Sequence, residues 1–237
     1  MATAVEQKTR SIALVGNPNT GKSTLFTALA GVRQRIGNYP GVTVEKKVGH
    51  MEHAGQGWAL VDLPGTYSLA PRSLDEMVVV DVLLGRRDDV PPCDAIVCIV
   101  DASNLERNLY LVSQVLELGR PTVVALNMTD IAQQHGLKID AAALAKRLGI
   151  PVVPVQANKR RGLAELKAAL AEIDSAAAAK IESPFPAEFR AEVSQLESLL
   201  NNSKSNGQPS VPRYLVERLL LDTGGYLEQS DLFHVSG

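Results

Sequence analysis

Cysteine is scarce: Cys93 and Cys98 are the only two in 237 residues. Cys98 sits inside the apolar run Ala95-Ile96-Val97-Cys98-Ile99-Val100 and reads as a core residue. A pair placed this way makes neither a disulfide framework nor a four-cysteine metal site, and it fits a reducing cytosol. A strong charge of either sign is also lacking. The formal net charge is −2, which argues against a broadly basic face for nucleic acid. No stretch approaches the ~20 consecutive apolar residues of a membrane helix. Met1 to Arg10 is polar and has no apolar signal core, so the chain as given reads as soluble. Histidine is sparse as well. Of His50, His53, His135 and His234 only the first two are close, and they read as surface strand residues, so no iron site is visible. No internal repeat appears.

What is present is a chain with 45% hydrophobic and 21% charged residues, enough apolar material for a sizeable core. Its organising stretch is Gly16-Asn17-Pro18-Asn19-Thr20-Gly21-Lys22-Ser23, which matches the phosphate-binding P-loop pattern G-x-x-x-x-G-K-[ST]. Ser11 to Val15 before it reads as a buried strand. Thr24 to Ala30 after it reads as a helix. That context makes the motif specific. Gly16 and Gly21 permit close backbone approach, and the loop amides with the helix N-terminus suit phosphate oxygens. Lys22 supplies a point charge for the β- and γ-phosphates, and Ser23 offers a hydroxyl to Mg²⁺.

Further nucleotide motifs follow in order. Tyr39-Pro40-Gly41-Val42-Thr43-Val44 offers Thr43 as a switch threonine that completes a Mg²⁺ shell. Asp62-Leu63-Pro64-Gly65 lies at a strand end, where Asp62 can hold Mg²⁺ through water and the Gly65 amide can meet a γ-phosphate. Asn127-Met128-Thr129-Asp130 resembles the guanine-reading N-K-x-D motif. Asp130 would accept from guanine N1 and N2, and Met128 stands where lysine is usual. Gln156-Ala157-Asn158 occupies the place of an S-A-K base-contacting loop, with base contact and plain loop both open. Lys159-Arg160-Arg161 reads as a solvated charge run. Two usual parts of GTP hydrolysis are missing. Thr66 follows Gly65 where a water-orienting glutamine is common, and no arginine in these motifs reads as a finger.

Strands and helices alternate through roughly the first 170 residues, which predicts a mainly parallel sheet covered on both faces. Gly31 to Gly41 reads as a loop. Thr43 to His50 and Trp58 to Val61 read as an edge hairpin. Ser73 to Leu84, Asn104 to Leu118, Ala141 to Leu148 and Leu163 to Ile173 read as helices. Ala95 to Val100, Thr122 to Leu126 and Val152 to Val155 read as strands. Near residue 174 the composition becomes alanine-rich and Ser183-Pro184-Phe185-Pro186 breaks the pattern. Ala187 to Leu200 and Arg213 to Leu221 then read as helices. The expected division is 1–174 and a small all-helical unit, 175–237.

Together these stretches resemble the N-terminal G-protein region of the bacterial ferrous iron transporter B (FeoB) family. The resemblance is carried by Gly16 to Phe26, Gly37 to Glu45, Asp62 to Leu69, Asp101-Ala102-Ser103-Asn104-Leu105-Glu106-Arg107-Asn108-Leu109-Tyr110-Leu111 and Asn127 to Asp130, where Met128 is itself family-typical. Beyond residue 174, Pro212-Arg213-Tyr214-Leu215 is similar to the family's helical spacer, or GDP-dissociation-inhibitor domain.

The resemblance implies a small G-protein-like P-loop fold with a six-stranded sheet. It implies GTP and GDP as ligands, contacted by residues 16–24, 41–43, 62–65, 127, 128, 130 and 156–158, with Pro18, Thr20 and Thr24 among them. Lys22, Asn19, Thr43 and Gly65 would serve hydrolysis. Ser23, Thr43 and Asp62 would hold Mg²⁺, and Asn19 would hold an activating K⁺ with carbonyls of Gly37 to Val42. Turnover would be slow, with Val32 to Val42 and Gly65 to Leu74 as switches. The implied partners are a membrane region beyond this chain and small cytosolic proteins of the Feo system, at the cytoplasmic face of the inner membrane. A ribosome- or tRNA-associated GTPase, a nucleotide-gated sensor with negligible turnover, and an NTPase that also takes ATP are the competing readings.

Overall fold

In the computed structural model the described residues are 9–31, 34–71, 73–173, 185–202 and 211–221. Runs that are largely apolar, with polar residues only at their ends, become strands buried on both faces. These are β1 (Arg10–Gly16), β5 (Ala95–Asp101) and β6 (Thr122–Asn127). With β4 (Gln56–Asp62) and β7 (Val152–Pro154) they form a parallel set. Their side chains alternate between faces. Ala13, Val15, Ile96, Cys98 and Val124 enter one core, and Ile12, Leu14, Val97, Ile99 and Val123 enter the other. Burial pushes the Cys98 thiol up to about 12 and Cys93 up to about 11, as suits core residues.

The hairpin expected at the edge is present as β3 (Glu45–His53), antiparallel to β4. An additional strand, β2 (Gln34–Asn38), pairs antiparallel with β3 and extends the sheet to seven strands in the order β2-β3-β4-β1-β5-β6-β7. The six-stranded expectation placed this segment in a loop. Its residues, Gln34-Arg35-Ile36-Gly37-Asn38, are half-buried or exposed, so no apolar alternation marks it and only backbone pairing defines it.

Helix α1 (Lys22–Ala30) buries Leu25, Phe26 and Leu29 on one face of the sheet, together with α6 (Leu163–Glu172) through Leu166 and Leu170. On the other face lie α2 (Leu74–Leu83), α3 (Leu105–Glu117) and α5 (Ala141–Leu148). Ser73 caps α2 by accepting from the Glu76 amide at 3.3 Å, as the capping box requires. A short helix absent from the sequence reading, α4 (Thr129–Gln134), starts at Asp130's neighbour and buries only Ala132.

The C-terminal helices are α7 (Ala187–Asn202) and α8 (Arg213–Leu221). Asn201 exchanges two hydrogen bonds with the Val211 backbone, at 2.7 and 3.4 Å, and so ties the end of one helix to the entry of the other. Val193, Tyr214, Leu215 and Val216 are buried in the same apolar cluster as α2 and α3, and Arg218 reaches Glu117 of α3 at 3.5 Å. The expected boundary at residue 174 lies outside the described residues, as do residues 32 and 33 of the first expected switch.

Candidate nucleotide site

Parallel pairing brings the C-terminal ends of β1, β4, β5 and β6 to one edge, with β1 flanked by β4 on one side and β5 on the other. A chain that leaves β1 toward opposite sides opens a crevice at this edge. A cleft of about 600 Å³ occupies it, lined by Asn17, Pro18, Asn19, Gly21, Lys22, Ser23, Thr24, Gly65 and Met128. A cavity at the opposite pole, against Ile12 and Trp58, has about half that volume (310 Å³) and none of the motifs.

The P-loop is held from inside. Thr20 Oγ1 donates to the Asn17 carbonyl at 2.9 Å, and Gly16 ends β1 where a Cβ would lie 2.8 Å from the Ile99 carbonyl. The Asn17 side chain is 3% exposed and its amide atoms have no partner among the described residues. Asn19 lies exposed on the cleft wall with φ of +66°. At the start of α1, Lys22 pairs with Asp62, and Ser23 Oγ lies 3.4 Å from the other Asp62 oxygen. Both members of the pair are largely buried, at 10% and 5% exposure. Lys22, Ser23 and Asp62 therefore meet at one point.

Asp62 arrives by register, opposite Leu14 of β1. The next residue, Leu63, turns into the core at 1% exposure and its amide donates to the Leu14 carbonyl. It braces the strand end and does not line the cleft, contrary to its place among the expected ligand contacts. Gly65 does reach the cleft. A Cβ there would sit 3.2 Å from Pro18, so a glycine eases this close approach of the two loops. Thr66 is buried, its amide donating to the Gly16 carbonyl and its hydroxyl lying within reach of the Ser68 carbonyl and the Glu76 carboxylate.

Asn127 acts as a brace. Its Nδ2 donates to the Thr20 carbonyl at 2.8 Å and its Oδ1 accepts from the Ala157 amide at 3.1 Å, which joins the P-loop to the 156–158 segment. Gly21 has φ of +83°, and a Cβ there would come within 2.4 Å of Asn127 Nδ2. Gly21→Ala should therefore disturb both helix start and brace. We expect a loss of about 1–3 kcal/mol in stability, with nucleotide affinity falling alongside, read by denaturant unfolding and ligand titration. Met128, with φ of +59°, lies over this point on the cleft wall. Asp130 is half-buried, and Lys159 donates to it at 2.6 Å. That hydrogen bond holds the Asp130 carboxyl below the ordinary carboxylate range. Gln156 Nε2 reaches Thr129 at 3.4 Å, Ala157 is buried and Asn158 is exposed.

Gly41, Val42 and Thr43 are not brought to the cleft. Gly41 and Thr43 are exposed in a loop between β2 and β3, and Val42 packs on the core. The sequence reading missed two supporting contacts. Gln114 is buried on α3, and its Oε1 accepts from the Leu69 amide at 2.6 Å, fixing the segment after Gly65. Its signal is a polar residue among Leu111, Val112, Val115 and Leu116 on the buried face of α3. Lys159, read as part of a solvated run, instead pairs with Asp130.

Residues 10–170 match the family described as Ferrous iron transport protein B. The chain belongs to the ferrous iron transport protein B family. It is 50% identical over 167 residues to the Fe(2+) transporter FeoB of Salmonella typhimurium, a match covering 69% of this chain and 21% of that protein. The chain thus spans about a fifth (21%) of the length of such curated relatives. Among solved structures, it is similar to the cytosolic domain of L. pneumophila FeoB, with TM-score 0.77, 40% identity and coverage of 88% of this chain and 80% of that one. It is also similar to an S. thermophilus NFeoB mutant bound to mGDP, with TM-score 0.78, 38% identity and coverage of 94% and 82%. The likeness to these FeoB cytosolic structures bears out the fold class.

Proposed function

We propose that this chain binds and slowly hydrolyses GTP, as the cytosolic regulatory part of a ferrous iron transporter whose membrane region lies beyond it. The observation that carries this reading is the meeting of Lys22, Ser23 and Asp62 in a cleft that also holds Met128, with Asn127 joining phosphate loop and base loop. Lys22 and the loop amides take the β- and γ-phosphates, and Asp130 with Met128 takes the guanine. Gln156, Ala157 and Asn158 lie beside the base. That an S. thermophilus relative is solved with mGDP supports the choice of nucleotide.

Ser23, Asp62 and Thr43 offer hard oxygen donors of the kind that suit Mg²⁺, which when bound neutralises charge on the phosphates. Asn19 offers an amide carbonyl on the cleft wall and is the K⁺ ligand in this proposal. Thr66 is committed to Ser68 and Glu76, so water orientation falls to backbone groups near Gly41 to Thr43 or Gly65, and slow turnover follows. Residues 1–174 form the nucleotide domain in this reading. Residues 175–237 are the helical spacer in this reading, and its described helices α7 and α8, packed in one apolar cluster with α2 and α3, would report motion of the Gly65 to Leu74 switch.

Phosphate release from GTP and from ATP, each in KCl and NaCl at equal ionic strength, tests the proposal. We expect release from GTP only, and faster in K⁺. Equal rates in both salts overturn the role of Asn19. Equal rates with ATP overturn base reading by Asp130. Tight GTP binding with no release would mark a sensor and not an enzyme.

A further inference from the structure

The loop that carries Thr43 is clasped by charged residues that no nucleotide motif contains. Tyr39 is 1% exposed and belongs to the main apolar cluster. The Arg87 guanidinium lies 5.0 Å from its ring centre and the Lys46 ammonium 5.8 Å, both within cation–π range. Both cations also converge on Asp89. Arg87 Nε donates to one carboxylate oxygen at 2.7 Å, and Lys46 Nζ donates to the other at 2.9 Å and to the Asp89 carbonyl at 3.2 Å. Arg87 additionally donates to the Pro40 carbonyl at 3.4 Å. Partial burial works against charge on Asp89, but the hydrogen bonds from Lys46 and Arg87 outweigh it and hold the carboxyl below the ordinary range.

The backbone completes the clasp. The Tyr39 amide donates to the Val44 carbonyl at 2.9 Å, and the Val42 amide donates to the Tyr39 carbonyl at 3.2 Å. Asn38 pairs with Glu45 directly below. Residues 39–44 are thus a closed turn with Thr43 exposed on it, while Lys22, Ser23 and Asp62 gather elsewhere. For the Thr43 hydroxyl to join that cluster, this turn has to leave its conformation. Arg87 opposes that movement through both Tyr39 and Pro40.

We propose that the Arg87–Asp89–Lys46 clasp on Tyr39 and Pro40 sets the preference of this site between guanosine diphosphate and triphosphate, by holding the Thr43 loop in its disengaged arrangement. The proposal rests on the guanine-nucleotide reading above. The diphosphate does not need Thr43, so its affinity is indifferent to the clasp. The triphosphate state engages the loop and works against it. Arg87, Asp89 and Lys46 act through the loop and are positioning residues.

Arg87→Gln and Asp89→Asn test this by titration of fluorescent GDP and a non-hydrolysable GTP analogue, with Mg²⁺ and K⁺ present. Each variant should bind the analogue about fivefold more tightly than the unaltered chain while its GDP affinity stays within about twofold. A merely structural role would weaken both ligands together, and that result overturns the proposal. So does an unchanged ratio in both variants. An unaltered chain that binds neither nucleotide overturns the guanine-nucleotide reading, and the clasp proposal with it. An unaltered chain that binds both while the variants leave the ratio fixed overturns the clasp alone.

Discussion

Replacing Lys22 with methionine should both destabilise the nucleotide-free chain and sharply lower its affinity for nucleotide. The two effects have different origins. In the free chain Lys22 neutralises Asp62, whose side chain is only 5% exposed. Methionine keeps the length of the stem but leaves that carboxylate without its cation. Stranding one member of a fully buried pair costs about 3–5 kcal/mol. This pair opens onto a cleft, so a loss of roughly 2 kcal/mol is the expectation. The partner change separates the origins. Asp62→Asn in the same chain removes the stranded charge, so Lys22→Met with Asp62→Asn should recover much of the stability. It should recover none of the affinity, because the point charge facing the phosphates is still gone. Charge-assisted hydrogen bonds of this kind are worth about 1.5–3 kcal/mol each, so losing Lys22 lowers affinity on the order of 100-fold. Denaturant unfolding without nucleotide or Mg²⁺, paired with nucleotide titration of the same three proteins, checks both. If the double variant is as unstable as Lys22→Met alone, the pair does not account for the loss.

The same cleft shows what a sequence can and cannot display. The motif residues that meet around Lys22 were legible because each sits at the end of an apolar run, and such runs become parallel strands whose ends coincide. Helix α8 was read with its observed limits, Arg213–Leu221, since its apolar positions recur at helical spacing. Strand β2 was not legible. It is polar, exposed and interrupted by Gly37, and its pairing with β3 is a backbone matter to which side-chain pattern is blind. Helix α4 is six residues long and begins after Met128 in a left-handed conformation, so neither length nor a side-chain cap announced it.

Roles were harder to read than positions. Asn127 was expected beside the base, and its motif does not reveal that both ends of its amide are spent joining the P-loop to Ala157. Lys159 looked like a solvated charge, because sequence shows charge but not the long-range partner, here Asp130. Leu63 shows the opposite error. Asp62 meets Lys22 and Gly65 lines the cleft, but the end of a pleated strand turns alternate side chains inward, and Leu63 enters the core.

Asp130→Asn should change which base the site takes, and this is the second large effect expected. Guanine presents N1–H and an N2 amino group, two donors that a carboxylate accepts together. An asparagine offers one acceptor and one donor, so its amide would face the guanine amino group donor to donor. A site built to hydrogen-bond one pattern rejects the wrong one strongly, and a loss on the order of 100-fold for guanine nucleotides follows. Xanthine keeps N1–H but carries a carbonyl oxygen at position 2, which an asparagine amide can meet. The variant should therefore bind xanthosine nucleotides in preference to guanosine nucleotides, while phosphate contacts at Lys22 stay intact. Lys159 adds a pH signature. Its hydrogen bond holds the Asp130 carboxyl below the ordinary range, so the acceptor pair persists as pH falls from neutral to mildly acidic and is lost only below that range. Lys159→Met removes that support, moves the loss of guanine affinity to higher pH, and leaves the choice of base unchanged at neutral pH. Competition titrations with GDP and xanthosine diphosphate at neutral pH read the choice of base, and GDP titrations carried down through the ordinary carboxylate range read the shift. Equal loss of both nucleotides in Asp130→Asn would mean that Asp130 only shapes the loop and does not read the base.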